Sequence, residues 1–127
     1  MRILHTADWH LGKTFRKVSL MEDQRHVLDQ IFDAVVENDI QVLIAAGDIY
    51  DKEAPSEAAV ALFCSFIERI YAETDAAIVI IAGNHDSGQR LAGPTKLYDR
   101  KRILIRGTLA REEQPLVLDD EHGPVAF

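Results

Sequence analysis

Residues 41–51 read Gln-Val-Leu-Ile-Ala-Ala-Gly-Asp-Ile-Tyr-Asp. The run Gln41 to Ala46 is almost wholly apolar, as expected of a strand covered on both faces of a parallel sheet. It breaks at Gly47 into a polar cluster that carries Asp48 and Asp51. The same pattern occurs twice more. Arg2 to Thr6 leads into Asp8-Trp9-His10, and Ala76 to Ala82 leads into Gly83-Asn84-His85-Asp86. Helical spacing fills the intervals, so the chain alternates strand and helix as βαβ units do. Val27, Leu28, Ile31, Phe32, Val35 and Val36 predict a helix over Ser19 to Asn38, with Ser19 and Glu22 as a capping box. Ser56, after Pro55, predicts the N-cap of a second helix that runs to Glu73.

Beyond Gly83 the pattern thins. Arg90 to Tyr98 reads as a short helix broken near Gly93 and Pro94, and Arg102 to Arg106 as a further strand. Leu116 to Leu118 and Val125 to Phe127 read as two strands around a turn. No repeat, low-complexity run or linker divides the 127 residues, so one unit with no internal boundary is expected.

Composition narrows the function classes. The chain has 14 Lys and Arg against 21 Asp and Glu, a net charge of -7, so any nucleic-acid contact must come from a local patch or a bound cation. Cys64 is the only cysteine, which excludes an intrachain disulfide and a thiolate zinc cage and fits a cytoplasmic setting. The apolar runs fall far short of the roughly 18 residues that a membrane span needs, so no membrane association is expected.

The three strand ends carry the chemistry. In an open parallel sheet, ligands bind in the crevice beyond the carboxyl ends of the strands, and three distant segments converge there. Carboxylate, imidazole and amide oxygen together suit manganese or iron better than a thiolate-seeking metal. Taken singly, each cluster has a plainer reading: Asp8 as a turn cap, Asp48 and Asp51 as an Asx turn, Asn84 as a left-handed residue beside Gly83. Three such clusters at three successive strand ends favour one metal site.

Asp-x-His, Gly-Asp-x-x-Asp and Gly-Asn-His-Asp, in this order, resemble the first three motifs of the calcineurin-like metallophosphoesterases. The wider strings at residues 3–12, 46–51 and 82–87 are similar to the DNA-repair exonucleases of the SbcD type, with Trp9, Leu11, Gly12 and Ser87 pointing to that branch. The resemblance implies an α/β fold, a metallophosphoesterase-like sheet with helices packed on it, truncated before its second half. Residues 1–127 would be the N-terminal part of a nuclease domain. It implies two divalent metal ions, manganese by family habit, with Asp8 and His10 on the first, Asp48 bridging and Asn84 on the second. His85 would protonate the leaving group, with Asp51 orienting its imidazole.

It also implies DNA as substrate, cut as an exonuclease on duplex ends and an endonuclease on single strands or hairpins, and an SbcC-type coiled-coil ATPase as partner. The family's later lone His and Gly-His-x-His motif have no counterpart here. His5 reads as a core residue or a partner of a ligand, His26 as solvated and His122 as part of a turn. Alternatives are a phosphatase or phosphodiesterase acting on a small substrate, and a non-catalytic dimerisation or DNA-tethering fragment.

Two surfaces complete the expectation. Lys13, Arg16 and Arg90 adjoin the motifs and are candidates for DNA contact, within a wider set that includes Lys17, Lys96, Arg100, Lys101 and Arg102. On the second helix, apolar residues span an arc of about 200°, wider than one sheet contact needs. The surplus has two readings: deeper burial within its own domain, or a homodimer through Leu62, Phe63, Phe66 and Ile70, with Leu97 nearby.

Overall fold

The computed structural model describes residues 1–92, 101–107 and 114–127. Four strands form a parallel sheet in the order β1-β4-β5-β6: β1 (Ile3–Thr6), β4 (Val42–Ala46), β5 (Ala77–Ile81) and β6 (Ile103–Arg106). Two short antiparallel hairpins stand apart from it, β2 (Thr14–Phe15) with β3 (Val18–Ser19), and β7 (Val117–Asp120) with β8 (Gly123–Ala126). Helices α1 (Met21–Glu37) and α2 (Glu57–Glu73) follow β3 and β4, and the short α3 (Gly88–Ala92) follows β5.

One face of the sheet, including Leu43, Ala45, Ile78, Ile80, Ile103 and Ile105, meets α1 and α2 in the main core. On the other face Val42, Ala77 and Val79 are covered by Leu116, with Met1, Leu118 and Phe127 packed around them. The N-terminal ammonium pins the β7–β8 hairpin there through a 2.9 Å ion pair with Asp120. That bond holds the Asp120 carboxyl below the usual carboxylate range. β1 is an edge strand whose Ile3 and His5 are exposed, so His5 is neither a core residue nor a described partner of the crevice.

Local chemistry explains where the helices begin. Ser56 Oγ accepts from the Ala59 amide at 3.2 Å, the cap expected at α2. At α1 the expected capping box is absent, because Ser19 is taken up by β3 and Leu20 occupies the cap position without a side-chain bond. Ser19 Oγ accepts instead from the Met21 amide, at 3.3 Å. Val27 and Val36 are about half exposed, so the apolar face of α1 narrows to Leu28, Phe32 and Val35, with Ile31 partly buried.

The wide apolar arc of α2 is satisfied within the chain, which makes the four α2 positions expected at a dimer interface core residues instead. Leu62, Phe63, Phe66 and Ile70 are only 5%, 1%, 5% and 0% exposed in this single chain. The cover comes from three sides: the sheet, α1, and the apolar members of the loops after β1 and β4. Trp9 packs edge-on against Phe66 with ring centres 5.4 Å apart, and Tyr50 against Phe63 at 5.6 Å. Leu11 and Ile49 are buried in the same core. Loops that carry the Asp and His motifs also wall the helix, so no self-complementary apolar face remains at these four positions. Leu97, like the segment 93–98 of the expected helix, lies outside the described residues.

Candidate metal centre

The loops after β1 and β4 continue alongside each other past the ends of their strands. The amides of Asp8, His10 and Leu11 donate to the carbonyls of Gly47, Asp48 and Ile49 at 3.1, 2.9 and 2.9 Å, and Asp51 returns a bond to Leu11 at 3.1 Å. The third loop closes on them through its glycine. A Cβ on Gly83 would sit 2.1 Å from Asp48 Oδ1 and 2.3 Å from its backbone nitrogen, so only glycine permits this approach.

Asp8, His10 and Asp48 meet at this junction. His10 Nε2 is 3.9 Å from Asp8 Oδ1 and 3.9 Å from Asp48 Oδ2. The three residues present ligand atoms that all lie within 4.8 Å of one another. A point equidistant from donors spaced about 4 Å apart lies about 2.3 Å from each, within the range of cation–donor bonds. The donor chemistry, two carboxylates and an imidazole, fits a divalent cation of intermediate hardness.

The backbone supports the same assignment of importance. Among the described residues, the non-glycine residues at positive φ include Asp8, His10 and Asp48, at 56°, 47° and 48°. Each such placement costs about 1–2 kcal/mol. The cost is met by the loop hydrogen bonds and by Gln24 of α1, whose amide nitrogen donates to the carbonyls of Trp9 and His10 at 3.1 and 2.6 Å. Its oxygen accepts from the Gly12 amide at 3.0 Å. One side chain thus clamps the stretch that carries His10.

Asn84 is exposed and lies between Gly83, which abuts Asp48, and His85, whose amide donates to Asp48 Oδ1 at 3.0 Å. His85 stands edge-on to His10 with ring centres 5.0 Å apart. Its Nδ1 faces the backbone carbonyl of Asp51 at 3.0 Å. That bond, assisted by the charges of Asp48 and Asp51 and opposed by desolvation and Lys13, raises the imidazole above its ordinary pKa. The expected role of Asp51 is therefore divided. Its main chain holds His85, while its carboxylate lies 3.5 Å from His10 Nδ1 and 3.8 Å from Lys13 Nζ. His10, Asp51 and His85 also form a second group able to hold a cation.

Asp86 has no role in the expectation from sequence, yet it ties two of the loops together. Its buried carboxylate accepts from the amides of Ile49, Tyr50 and Gly83 at 3.0, 2.8 and 2.9 Å. The only sign of it in the sequence is its place in the Gly-Asn-His-Asp string.

Of the basic candidates, Lys13 and Arg16 lie just beyond the first loop and Arg90 is exposed on α3. Arg102 is at the wrong end of the sheet. It precedes β6, stacks over Tyr71 at 4.7 Å and donates to backbone carbonyls that include Ala76 at 3.1 Å. A cavity of about 500 Å³ is at that end as well, between Arg102, Asp75 and Met1, and takes no part in the crevice. Lys96 and Arg100 lie outside the described residues.

Comparison with known proteins agrees with this geometry. A family model for calcineurin-like phosphoesterases matches residues 1–120. Two curated relatives, from Staphylococcus epidermidis and Staphylococcus saprophyticus, each carry the name of a subunit of the nuclease SbcCD. Both are 36% identical to this chain over 118 residues, 93% of its length. Those matches cover 32% and 31% of the relatives, so the chain spans about a third of their length. No helix among the described residues is long and apolar enough to cross a membrane. With its motifs gathered at the strand ends and a family match over nearly all of its residues, the chain belongs to the calcineurin-like phosphoesterases.

Proposed function

We propose that the chain contributes the N-terminal part of a two-metal phosphodiesterase domain, and that the protein containing it cleaves DNA. The reading rests most directly on one observation, the meeting of Asp8, His10 and Asp48 within 4.8 Å at the strand ends. In this account Asp8 and His10 hold one cation, Asp48 faces both and Asn84 serves the second. Two divalent cations, manganese in our reading, would neutralise phosphate oxygens and make water a stronger nucleophile at neutral pH.

The remaining steps belong to side chains. His85, with Nδ1 occupied by the Asp51 carbonyl, offers Nε2 to the departing oxygen and gives it a proton. Lys13, Arg16 and Arg90 attract and position the phosphate backbone without reading sequence. Asp51 tethers Lys13 beside the crevice. Exonuclease action on duplex ends, endonuclease action on single strands and hairpins, an SbcC-type ATPase partner and a cytoplasmic setting in DNA repair complete the proposal. The naming of the Staphylococcus relatives as nuclease SbcCD subunits supports nuclease action and a multi-subunit assembly; the finer parts follow from the resemblance of the three motifs.

With Asp51 and His85 given to proton transfer, Asp8, His10, Asp48 and Asn84 are too few to close two cation sites, and the relatives extend for twice this length again. The 127-residue chain alone should therefore be at most a feeble nuclease. The protein extended to its relatives' length should hydrolyse duplex DNA with manganese and prefer it to p-nitrophenyl phosphate esters. Preference for the small esters would make it a phosphatase or a small-substrate phosphodiesterase instead. Full activity from the short chain would overturn the divided site.

A further inference from the structure

The β2–β3 hairpin leaves the metal loop four residues after His10 and exposes an apolar pair that nothing in the core accounts for. Phe15 and Val18 face each other across the two strands and are 62% and 64% exposed. Between them Arg16 and Lys17 form the two-residue turn, with φ of 48° and 68°. Such a turn needs positive φ at both central residues, and Asn-Gly is the sequence that forms it readily. Here it is built from two long cations. The guanidinium of Arg16 lies over the Phe15 ring, 5.4 Å from its centre. Lys13, at the base, reaches Asp51 of the crevice at 3.8 Å.

Three cations within five residues stand out in a chain of net charge -7, and they call for a polyanion. A solvent-facing phenyl ring among them calls for a flat apolar surface on that same polyanion. A nucleic acid supplies both, since every base has a π-face and every linkage a phosphate. Inside a duplex, however, each base pair is stacked on both sides and offers no free face. Only a terminal pair or an unpaired base does.

We infer that the hairpin is an end-sensing element: Phe15, braced by Val18, stacks on the exposed base at a DNA terminus or in a single strand, while Arg16 and Lys17 hold the adjoining phosphates. The inference rests on the DNA-cleaving reading and deepens it, because it makes the hairpin distinguish ends from continuous duplex.

The test uses the 127-residue chain, without divalent metal, and two duplexes of about 20 base pairs that carry 2-aminopurine either in the terminal pair or at the centre. Binding should change the emission of the terminal reporter and leave the central one unaltered. Phe15→Ala, at an exposed position, should abolish that signal and weaken binding about tenfold. Phe15→Trp should restore both. Arg16→Ala with Lys17→Ala should keep the terminal signal at saturation, while the slope of log affinity against log salt falls by about two. Salt-dependent binding with equal signals from both reporters, or a terminal signal that survives Phe15→Ala, would overturn the inference and leave the DNA reading standing. Absence of binding to either duplex, by this chain and by the protein extended to its relatives' length, would overturn both.

Discussion

Replacing His85 with alanine in the full-length protein is expected to cut phosphodiester hydrolysis about 100-fold or more and to leave metal affinity nearly unchanged. The expectation follows from the ring's contacts. Nδ1 is engaged by the Asp51 carbonyl at 3.0 Å, which fixes the imidazole and raises its proton affinity, and the proposed mechanism uses Nε2 as the proton donor. The ring is exposed, and its removal leaves the carboxylates of Asp8 and Asp48 where they are. Single-turnover hydrolysis paired with manganese titration separates the two effects. A loss of metal affinity as steep as that of Asp48→Ala would make His85 a ligand, in line with its grouping beside His10 and Asp51.

Asp86→Ala is expected to destabilise the chain by about 3 kcal/mol or more and to weaken manganese binding with it. The carboxylate accepts three backbone amides, of which those of Ile49 and Tyr50 lie in buried surroundings. Each amide left without a partner costs about 1–3 kcal/mol, and bonds to a charged acceptor are stronger than average. Because Ile49 follows Asp48 directly and Gly83 abuts it, the loss also frees the loop that presents Asp48. Asp86→Asn, which keeps an acceptor without the charge, should recover part of the stability. Denaturant midpoints for the two variants check this, and an alanine variant as stable as wild type would show that Asp86 has no clamping role.

Legibility in the sequence tracks how directly a residue's chemistry shows in its own type. The strands β4 and β5 are readable because a parallel strand covered on both faces must be an apolar run, and the crevice follows from what interrupts each run. β1 is not covered in that way: it is an edge strand with Ile3 and His5 exposed, and it is legible by the Asp-x-His cluster that follows it. The β2–β3 hairpin is not readable, since Thr14 to Ser19 lacks the Asn-Gly signal of its turn. The arc of α2 is as wide as its spacing indicates, but it is not surplus. Trp9, Leu11, Ile49 and Tyr50, which cover it, sit within motifs whose neighbours point to metal chemistry. Gln24 and Asp86 escape a sequence reading for another reason. Both act on backbone amides and carbonyls, which leave no pattern in side-chain type. Asp51 does hold His85, but through its carbonyl, and a sequence does not say whether a residue's carboxylate or its main chain makes a contact.

The claim on which the rest depends is that the ends of β1, β4 and β5 form a cation site, and anomalous diffraction from crystals grown with manganese tests it directly. A peak is expected within about 2–2.6 Å of donor atoms of Asp8, His10 and Asp48. That peak should vanish in Asp48→Ala crystals of the same form. A peak held by other residues, or none in the crevice at saturating manganese, would contradict it.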